Sequence, residues 1–269
     1  MNPAPGAGIR LVESGFVDDA HLDTAVSAAL MRQVARGEVG PTIRLNRTGP
    51  ILAFGKLDRL RPGYPRAVAI AREQGYVPVE RIAGGRAAVF GPGTISLSQA
   101  IRAGGGSGSY PGTRDRFGAM AELIAAAARS LGADARVGEV PGEYCPGEFS
   151  VNARGTVKLA GIGQRVIVGG AHVGAVIAVR GAGAINAVLE PVYGALGLDF
   201  DPAATGSLAL ELGEDDEPLP RDEPDPLIDR AIAAIRAELE RRYELVPAVP
   251  AESTLAMAAE LKREFEPRV

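Results

Sequence analysis

The chain has 269 residues, of which 46% are hydrophobic and 23% charged, and its formal net charge at pH 7 is -4. This composition is typical of a globular protein with a sizeable core, and the acidic balance gives no support for nucleic-acid binding. One cysteine excludes an internal disulfide framework, and only two histidines argue against a structural zinc site. No stretch approaches the ~20 uninterrupted apolar residues of a membrane span, and the N-terminus lacks a signal-peptide pattern. We therefore expect a cytoplasmic protein with no bound metal, no membrane contact and no nucleic-acid partner.

Apolar residues at helical spacing, polar caps and glycine stops predict the helices. Asp18 or Asp19 is expected to cap the first helix, and Thr113 is expected to cap an alanine-rich helix that Gly132 closes. The predicted helices run over residues 19–36, 65–75, 113–131, 185–195, 227–239 and 254–265.

Short runs rich in β-branched and aromatic residues, bounded by glycine or proline, predict the strands. They cover residues 42–45, 51–54, 76–82, 87–90, 94–97, 148–153, 156–160, 166–168, 172–179 and 207–212. Residues 104–108 read as a flexible loop, and the acidic, proline-rich residues 213–226 as a solvated loop. Clustered hairpins with helices outside them indicate an α+β domain rather than a parallel βαβ fold.

The single cysteine, Cys145, lies in a polar loop directly before Pro146. The proline ring disfavours the α region for the residue before it, so Cys145 is expected to be extended. A lone cysteine is usually a small buried hydrophobe without reactivity. The polar loop favours a nucleophile instead, provided that a nearby cation such as Lys158 stabilises the thiolate. Both interpretations remain open at this point.

The two strand-like runs after Cys145, joined at Arg154-Gly155, predict a β-hairpin that carries Lys158. If those two residues form the whole loop, Val151 lies opposite Lys158. Phe149, Val151 and Lys158 then share one face, because side chains alternate along a strand. An apolar setting for Lys158 would suit catalysis, whereas a lysine on a strand is more often solvated.

A second group of candidate residues surrounds Gly84 and Gly85, which Arg81 and Arg86 flank. The structural interpretation is a glycine turn between two strands. The functional one is a loop whose exposed backbone cradles an anionic or carbonyl-bearing ligand. Other motifs are weaker. Residues 49–56 resemble a P-loop only loosely, and the two histidines, His21 and His172, are interpreted as structural.

The order of these pieces resembles a known catalytic domain. Arg81-x-x-Gly84-Gly85-Arg86-Ala87-x-Val89, followed by Lys158-x-x-Gly161, is similar to the domain shared by lipoate–protein ligases, octanoyltransferases and biotin ligases. The segments Tyr144-Cys145-Pro146-Gly147 and Lys158-Leu159-Ala160-Gly161-Ile162-x-Gln164-Arg165 look most like its cysteine-dependent branch. That branch includes octanoyl-carrier transferases and the amidotransferase that moves octanoyl from the glycine cleavage H protein to lipoyl domains. The resemblance covers roughly residues 10–210.

The resemblance implies a mixed, largely antiparallel sheet flanked by helices, as in class II synthetase and biotin–lipoate ligase folds. It also implies that Cys145 forms an acyl-thioester and that Lys158 holds the acyl carbonyl. The substrate-binding positions that it implies are Arg81, Gly84, Gly85, Arg86, Ala87 and Gly161. Residues 1–212 would form the acyltransferase domain, with the acidic loop and C-terminal helices of 213–269 packed on the same domain.

The implied activity is transfer of an octanoyl or lipoyl group to a lysine of a lipoyl domain, without a cofactor. The donor would be acyl carrier protein or the glycine cleavage H protein. One alternative is a lipoate–protein ligase that uses ATP and magnesium, and another is a non-catalytic relative that binds an acyl group or a carrier domain.

Two departures from the family's sequence pattern stand out. Phe90 is followed by Gly91-Pro92 where many relatives carry His-Asp, and Arg86 replaces the third glycine usual in ATP-using ligases.

Overall fold

The structure, a computed structural model, describes residues 8–47, 49–103, 112–220 and 223–269. Its strands are β1 (Gly8–Val12), β2 (Thr42–Asn46), β3 (Ile51–Phe54), β4 (Val77–Glu80), β5 (Ala88–Phe90), β6 (Thr94–Arg102), β7 (Ala135–Val137), β8 (Val151–Ala153), β9 (Val157–Ile167), β10 (Gly170–Ala178) and β11 (Glu244–Pro247). Its α-helices are α1 (Ala20–Arg36), α2 (Lys56–Arg59), α3 (Tyr64–Glu73), α4 (Thr113–Ser130), α5 (Ala182–Leu196), α6 (Leu208–Leu212), α7 (Pro226–Glu240) and α8 (Glu252–Leu261). The loop predicted at 104–108 lies outside the described residues.

Within the described ranges, eight strands form one sheet in the order β11-β1-β2-β6-β10-β9-β8-β7. β1 is parallel to its neighbours β2 and β11, and the other pairs are antiparallel. A smaller sheet has the order β4-β3-β5, with β3 parallel to β4 and antiparallel to β5. The architecture is therefore α+β with a mixed, largely antiparallel sheet flanked by helices, which confirms the prediction.

The large sheet has two unlike faces because side chains alternate along each strand. One face is apolar and packs against α4 and α7 in the main hydrophobic core. Its central side chains are Ile43, Leu45, Ile95, Leu97, Val173 and Ile177. The other face carries small or polar residues, such as the row Arg44, Ser98, Gly174 and Gly163 on four adjacent strands. α1 packs on this second face, and the small sheet borders a cavity with it.

The ends of the helices follow local capping chemistry. The Asp19 carboxylate accepts the N–H of Leu22 at 3.1 Å, and Gly37, with φ 77°, ends α1. Of the two residues predicted, Asp18 and Asp19, the cap is therefore Asp19. At α4 the prediction was one residue off, because Gly112 occupies the cap position and Thr113 is the first helical residue.

Residues 207–212 were predicted to be a strand, and that prediction was wrong. They form the short helix α6, whose cap Ser207 accepts the N–H of Leu210 at 3.2 Å. Gly213, with φ 69°, ends the helix in the left-handed conformation. A run of alternating apolar residues does not distinguish a strand from one helical turn, so the caps decide the outcome.

Two further differences concern the strands. β9 is one strand of 11 residues, where the sequence predicted two separate runs at 156–160 and 166–168. The short strands β1, β7 and β11 were not predicted. β1 and β11 complete the parallel edge of the large sheet, and that pairing joins residues more than 200 positions apart. Such contacts leave no local pattern in the sequence.

The C-terminal segment makes contacts across the whole fold. α7 contributes Leu227, Ile228, Ile235 and Leu239 to the main core. α8 packs against α1, and β11 pairs with β1. No helix in the described ranges is long and apolar enough to cross a membrane.

Candidate active site

Cys145 occupies a strained turn between β7 and β8. Its φ is 44°, in the left-handed region that non-glycine residues rarely adopt, so the predicted extended conformation was wrong. Three hydrogen bonds hold the turn in place. The Cys145 N–H donates to the Tyr193 hydroxyl at 2.9 Å, and the Lys158 ammonium donates to the carbonyl oxygens of Tyr144 and Cys145, both at 2.9 Å. Together these contacts outweigh the local preference that Pro146 imposes.

The Cys145 sulfur lies against the glycine loop. Sγ accepts the backbone N–H of Arg86 at 3.1 Å, and the Arg81 guanidinium is 3.9 Å away. Arg81 is itself anchored, because it donates to the Arg86 carbonyl at 2.9 Å. Gly85 has φ 108°, and a Cβ placed there would lie 2.8 Å from Sγ. This position therefore requires glycine both for its backbone conformation and for the close approach of the sulfur.

Lys158 is buried beside Cys145, with 1% of its surface exposed. It lies opposite Asn152 rather than Val151, because Ala153 pairs with Val157 and a bulge interrupts β8 between Val151 and Asn152. The predicted register was therefore wrong. The turn has one more residue than the two predicted, which places Asn152 opposite Lys158, and the bulge then brings Val151 opposite Ala160. Phe149 still lines the same cavity as Lys158.

The charge of Lys158 is balanced by the buried Glu143 carboxylate. Burial lowers the pKa of Lys158 from its ordinary value, while Cys145 and Glu143 act in the opposite direction. The Nζ atom is 3.4 Å from Glu143 Oε1, and that oxygen also accepts bonds from Gly147 N–H and Ser150 Oγ. An ammonium has three donors, and all three face protein oxygens here. The contact with Glu143 is the longest of the three.

Cys145 and Lys158 open onto a cavity of about 560 Å³. This volume lies within the range of about 300–1,000 Å³ typical of small-molecule sites. Its apolar wall includes Ile51, Ala53, Val79, Ala88 and Phe90. Its opposite wall is the polar face of the large sheet, with Arg44, Ser96, Ser98, His172 and Gly174. Phe117 and Phe149 also line the cavity, and their rings stack at 5.4 Å below the exposed Arg114. The arrangement fits an acyl chain that is attached at Cys145.

The model of the lipoyl protein ligase A/B catalytic domain matches residues 19–195, which contain every residue described at this site. The chain belongs to this family. The match includes the glycine loop, the Cys145 turn and the strand that carries Lys158. The family expected from the sequence motifs is therefore confirmed.

Curated relatives in this family carry the name octanoyl-[GcvH]:protein N-octanoyltransferase. The chain is 32% identical over 181 residues to the protein of Geobacillus kaustophilus, covering 65% of this chain and 60% of the relative. It is 35% identical over 175 residues to that of Anoxybacillus flavithermus, covering 63% of this chain and 59% of the relative. The aligned regions thus span about three fifths of these relatives' length.

Solved structures support the fold. Lipoate–protein ligase A bound with ATP superposes with a TM-score of 0.70 at 16% identity, over 96% of this chain and 95% of that one. The bipartite lipoate protein ligase of Thermoplasma acidophilum, solved in a study that also covers its E2 lipoyl domain, has a TM-score of 0.62 at 16% identity, over 97% and 93%. The fold is therefore that of the lipoyl ligase family.

Six of the eight residues expected from the family resemblance line the cavity, namely Arg81, Gly84, Gly85, Cys145, Lys158 and Gly161. The other two are placed differently. The Arg86 guanidinium turns to the buried Asp58 carboxylate at 3.4 Å, so only its backbone N–H reaches the sulfur. Ala87 is fully buried behind the loop, where its carbonyl accepts the Tyr193 hydroxyl at 3.0 Å.

Three residues at the site were not predicted to act there. Tyr193 reaches the Cys145 turn from α5, and Glu143 balances Lys158. His172, interpreted as structural, lines the cavity and has its pKa lowered to about 4 by burial and by the charges of Arg44 and Arg81. Only Glu143 could have been suspected from the sequence, because it lies two residues before Cys145. The other two approach from distant parts of the chain.

The described residues contain no cluster of three or more acidic, histidine or cysteine side chains that could hold a metal ion. The other histidine, His21, lies on α1 outside the cavity, with Nε2 3.1 Å from the Pro78 carbonyl.

Proposed function

We propose that the protein is an acyltransferase that moves an octanoyl or lipoyl group from a carrier protein to a lysine of a lipoyl domain. The observation that carries this proposal is the Cys145 sulfur, held 3.1 Å from the Arg86 N–H at the wall of the cavity. The name of the curated relatives, octanoyl-[GcvH]:protein N-octanoyltransferase, supports the same chemistry. No cofactor is required for it.

In the first step the Cys145 thiolate attacks the acyl carbonyl carbon. A carbon–sulfur bond forms and the carbonyl oxygen becomes an oxyanion; collapse of this intermediate breaks the bond to the donor, whose sulfur leaves as a thiolate or whose nitrogen takes a proton from solvent and leaves as an amine. Lys158 stabilises the oxyanion by exchanging its long contact with Glu143 for the acyl oxygen. The two shorter bonds to Tyr144 and Cys145 keep the ammonium in place meanwhile.

In the second step a neutral lysine amine of the acceptor attacks the Cys145 thioester. The amide forms, Cys145 leaves as a thiolate, and the amine's proton passes to solvent. Dividing the transfer into two substitutions at one carbon lets the same donors stabilise both oxyanions. Arg114 lines the cavity and is exposed to solvent, and we propose that the acceptor lysine enters from this side.

The test is intact-mass analysis of the protein after incubation with octanoyl carrier protein in the absence of ATP. We expect one octanoyl adduct on wild type and none on Cys145→Ala, followed by loss of the adduct when an acceptor lipoyl domain is added. Modification of the acceptor that appears only with free lipoate, ATP and magnesium would establish the ligase instead. Binding of the donor without any adduct or transfer would establish a non-catalytic relative.

The choice of donor alters how much acyl-enzyme accumulates. With a thioester donor the first step replaces one thioester by another, so the adduct should build up when no acceptor is present. With octanoyl on a lysine of the glycine cleavage H protein, an amide is replaced by a less stable thioester. We expect transfer from that donor with little detectable adduct. Mass spectra taken with both donors measure the difference.

A further inference from the structure

The cavity has a polar floor on the large sheet. Side chains that point into it from β10 and β6 include His172 and Ser98, both 8% exposed. Neither side chain has a hydrogen-bond partner within the described ranges. Their polar atoms are open to the cavity, so a ligand that fills this end either pairs with them or displaces the water that would.

His172 leans over a position that has no side chain of its own. A Cβ placed on Gly174 would lie 2.9 Å from His172 Nε2, so the imidazole fills the space that this glycine leaves. Burial and the charges of Arg44 and Arg81 lower the pKa of His172 to about 4. The ring is therefore neutral at pH 7 and offers one N–H donor and one nitrogen acceptor.

The separation of this floor from the reacting end matches the length of a medium acyl chain. Lys158 Nζ lies 3.5 Å from the Cβ position of Gly161, and Gly161 pairs with Val176, two residues from Gly174. One strand across and two residues along a sheet amount to roughly 8 Å, given spacings of about 4.8 Å and 3.4 Å. An extended eight-carbon chain whose carbonyl lies at Lys158 Nζ thus reaches the level of Gly174, over which His172 leans.

Two cationic side chains, Arg44 and Arg81, lie near the floor, and both lower the pKa of His172. Arg44 forms an ion pair with Asp23 at 2.5 Å and donates to Ser27 Oγ at 2.6 Å. Asp23 balances the charge of Arg44, and the Arg81 guanidinium donates to the Arg86 carbonyl beside the Cys145 sulfur. A neutral group that both donates and accepts hydrogen bonds is the complement of a neutral imidazole and a serine hydroxyl.

We infer that this floor is a subsite for a neutral hydrogen-bonding group, such as a hydroxyl, on the last carbons of the acyl chain. The inference rests on the proposed function, which places the acyl chain in the cavity, and it adds chains with a polar group near their end as a class of substrate. A saturated octanoyl chain would displace water from His172 and Ser98 and leave both unpaired. A hydroxylated chain would replace that water.

Binding of the free acids tests the inference without any transfer step. Isothermal titration calorimetry would compare octanoic acid with 8-hydroxyoctanoic acid on wild type, His172→Leu, Ser98→Ala and, as a matched control, His21→Leu. We expect wild type and the control to bind the hydroxy acid more tightly, by about tenfold, which corresponds to ~1.4 kcal/mol. In His172→Leu the order should reverse, because the hydroxyl would be buried without a partner. Ser98→Ala should reduce the preference and serves if His172→Leu fails to fold.

Equal or tighter binding of octanoic acid to wild type would overturn the inference, as would an unchanged preference in both cavity variants. Failure of Cys145 to become acylated by either octanoyl or 8-hydroxyoctanoyl carrier protein would reject the proposed function, whatever the calorimetry gives. The two results are therefore distinguishable.

Discussion

At the scale of single residues, Lys158 has two tasks. Its ammonium fixes the Cys145 turn through two carbonyl oxygens, and it is the donor we propose for the acyl oxyanion. Both tasks need a compact cation with several donors at one point. Glu143 makes this possible, since a lysine with 1% exposure and no counter-ion would lose its charge.

Replacing Lys158 tests both tasks together. We expect Lys158→Ala to lower kcat/KM by ~10²-fold or more, the typical cost of losing one preorganised oxyanion donor. Lys158→Arg should not restore the rate, because a planar guanidinium differs in shape and reach from an ammonium. Steady-state transfer assays with octanoyl carrier protein measure the effect. The exposed Lys56 provides the control, and a Lys158→Ala rate equal to that of Lys56→Ala would contradict the assignment.

A second prediction for a single residue concerns His172 and the pH dependence of the free energy of unfolding. Its pKa is lowered from 6.5 to about 4 in the folded protein, so the unfolded chain binds more protons between these values. The stability that comes from burying a neutral His172 is fully present above pH 6.5 and is lost as the pH falls towards 4. A difference of this size corresponds to about 3 kcal/mol. When the pH is lowered from about 7.5 to about 4.5, His172→Gln should lose less free energy of unfolding than wild type does.

Urea denaturation at the two pH values measures this difference, with His21→Gln as the control. His21 lies outside the cavity and should leave the wild-type pH dependence unchanged. Parallel pH dependence in wild type and His172→Gln would show that the imidazole is not held neutral by burial.

At the scale of elements, the glycine loop between β4 and β5 meets the Cys145 turn through backbone rather than side chains. Gly85 lets the sulfur approach, and Arg86 supplies an N–H, while its side chain secures the loop to Asp58. Burial raises the pKa of Asp58, with Arg86 acting against it. The loop thus acts as a support for the sulfur that we propose as the nucleophile.

Two adjacent glycines allow a matched test of this support. A Cβ at Gly85 would lie 2.8 Å from Cys145 Sγ and would require a positive φ, whereas a Cβ at Gly84 meets nothing within 4 Å. We expect Gly85→Ala to abolish acylation of Cys145 and Gly84→Ala to retain it. The rate of adduct formation by intact mass measures both. Equal rates for the two variants would mean that the sulfur does not need this approach.

At the scale of the whole molecule, the C-terminal segment is expected to belong to the same folding unit as the catalytic residues. α7 fills the main core beneath the large sheet, and β11 extends that sheet at β1. The residues that α7 buries there include Leu227, Ile228, Ala231, Ile235 and Leu239. Without them, the apolar faces of α4 and the sheet would be exposed to water.

A chain that ends after Leu212 is therefore expected not to unfold cooperatively. Thermal unfolding followed by circular dichroism would compare it with the full chain, and a dye that binds exposed apolar surface would report the uncovered core. A truncated chain with a sharp transition close to that of the full chain would show that residues 213–269 are a separate unit.

The sequence by itself determined the features that depend on neighbouring residues. Asp19 caps α1 because its carboxylate needs only the N–H of Leu22, three positions away. The glycine loop, the lone Cys145 and the lysine in a following strand could be recognised from order and spacing. These were sufficient to predict the α+β class and the family, and to place six of the eight expected residues on the cavity wall.

Only the tertiary structure decided the geometry of the site. Cys145 is left-handed rather than extended because Lys158 and Tyr193 hold its turn from β9 and α5. Local preferences are worth about 1–3 kcal/mol, and a few long-range hydrogen bonds to a buried turn outweigh them. The residue opposite Lys158 depended on one additional turn residue. The placement of His172 depended on the pairing of β10 with its neighbours, which joins residues that the chain itself does not bring together.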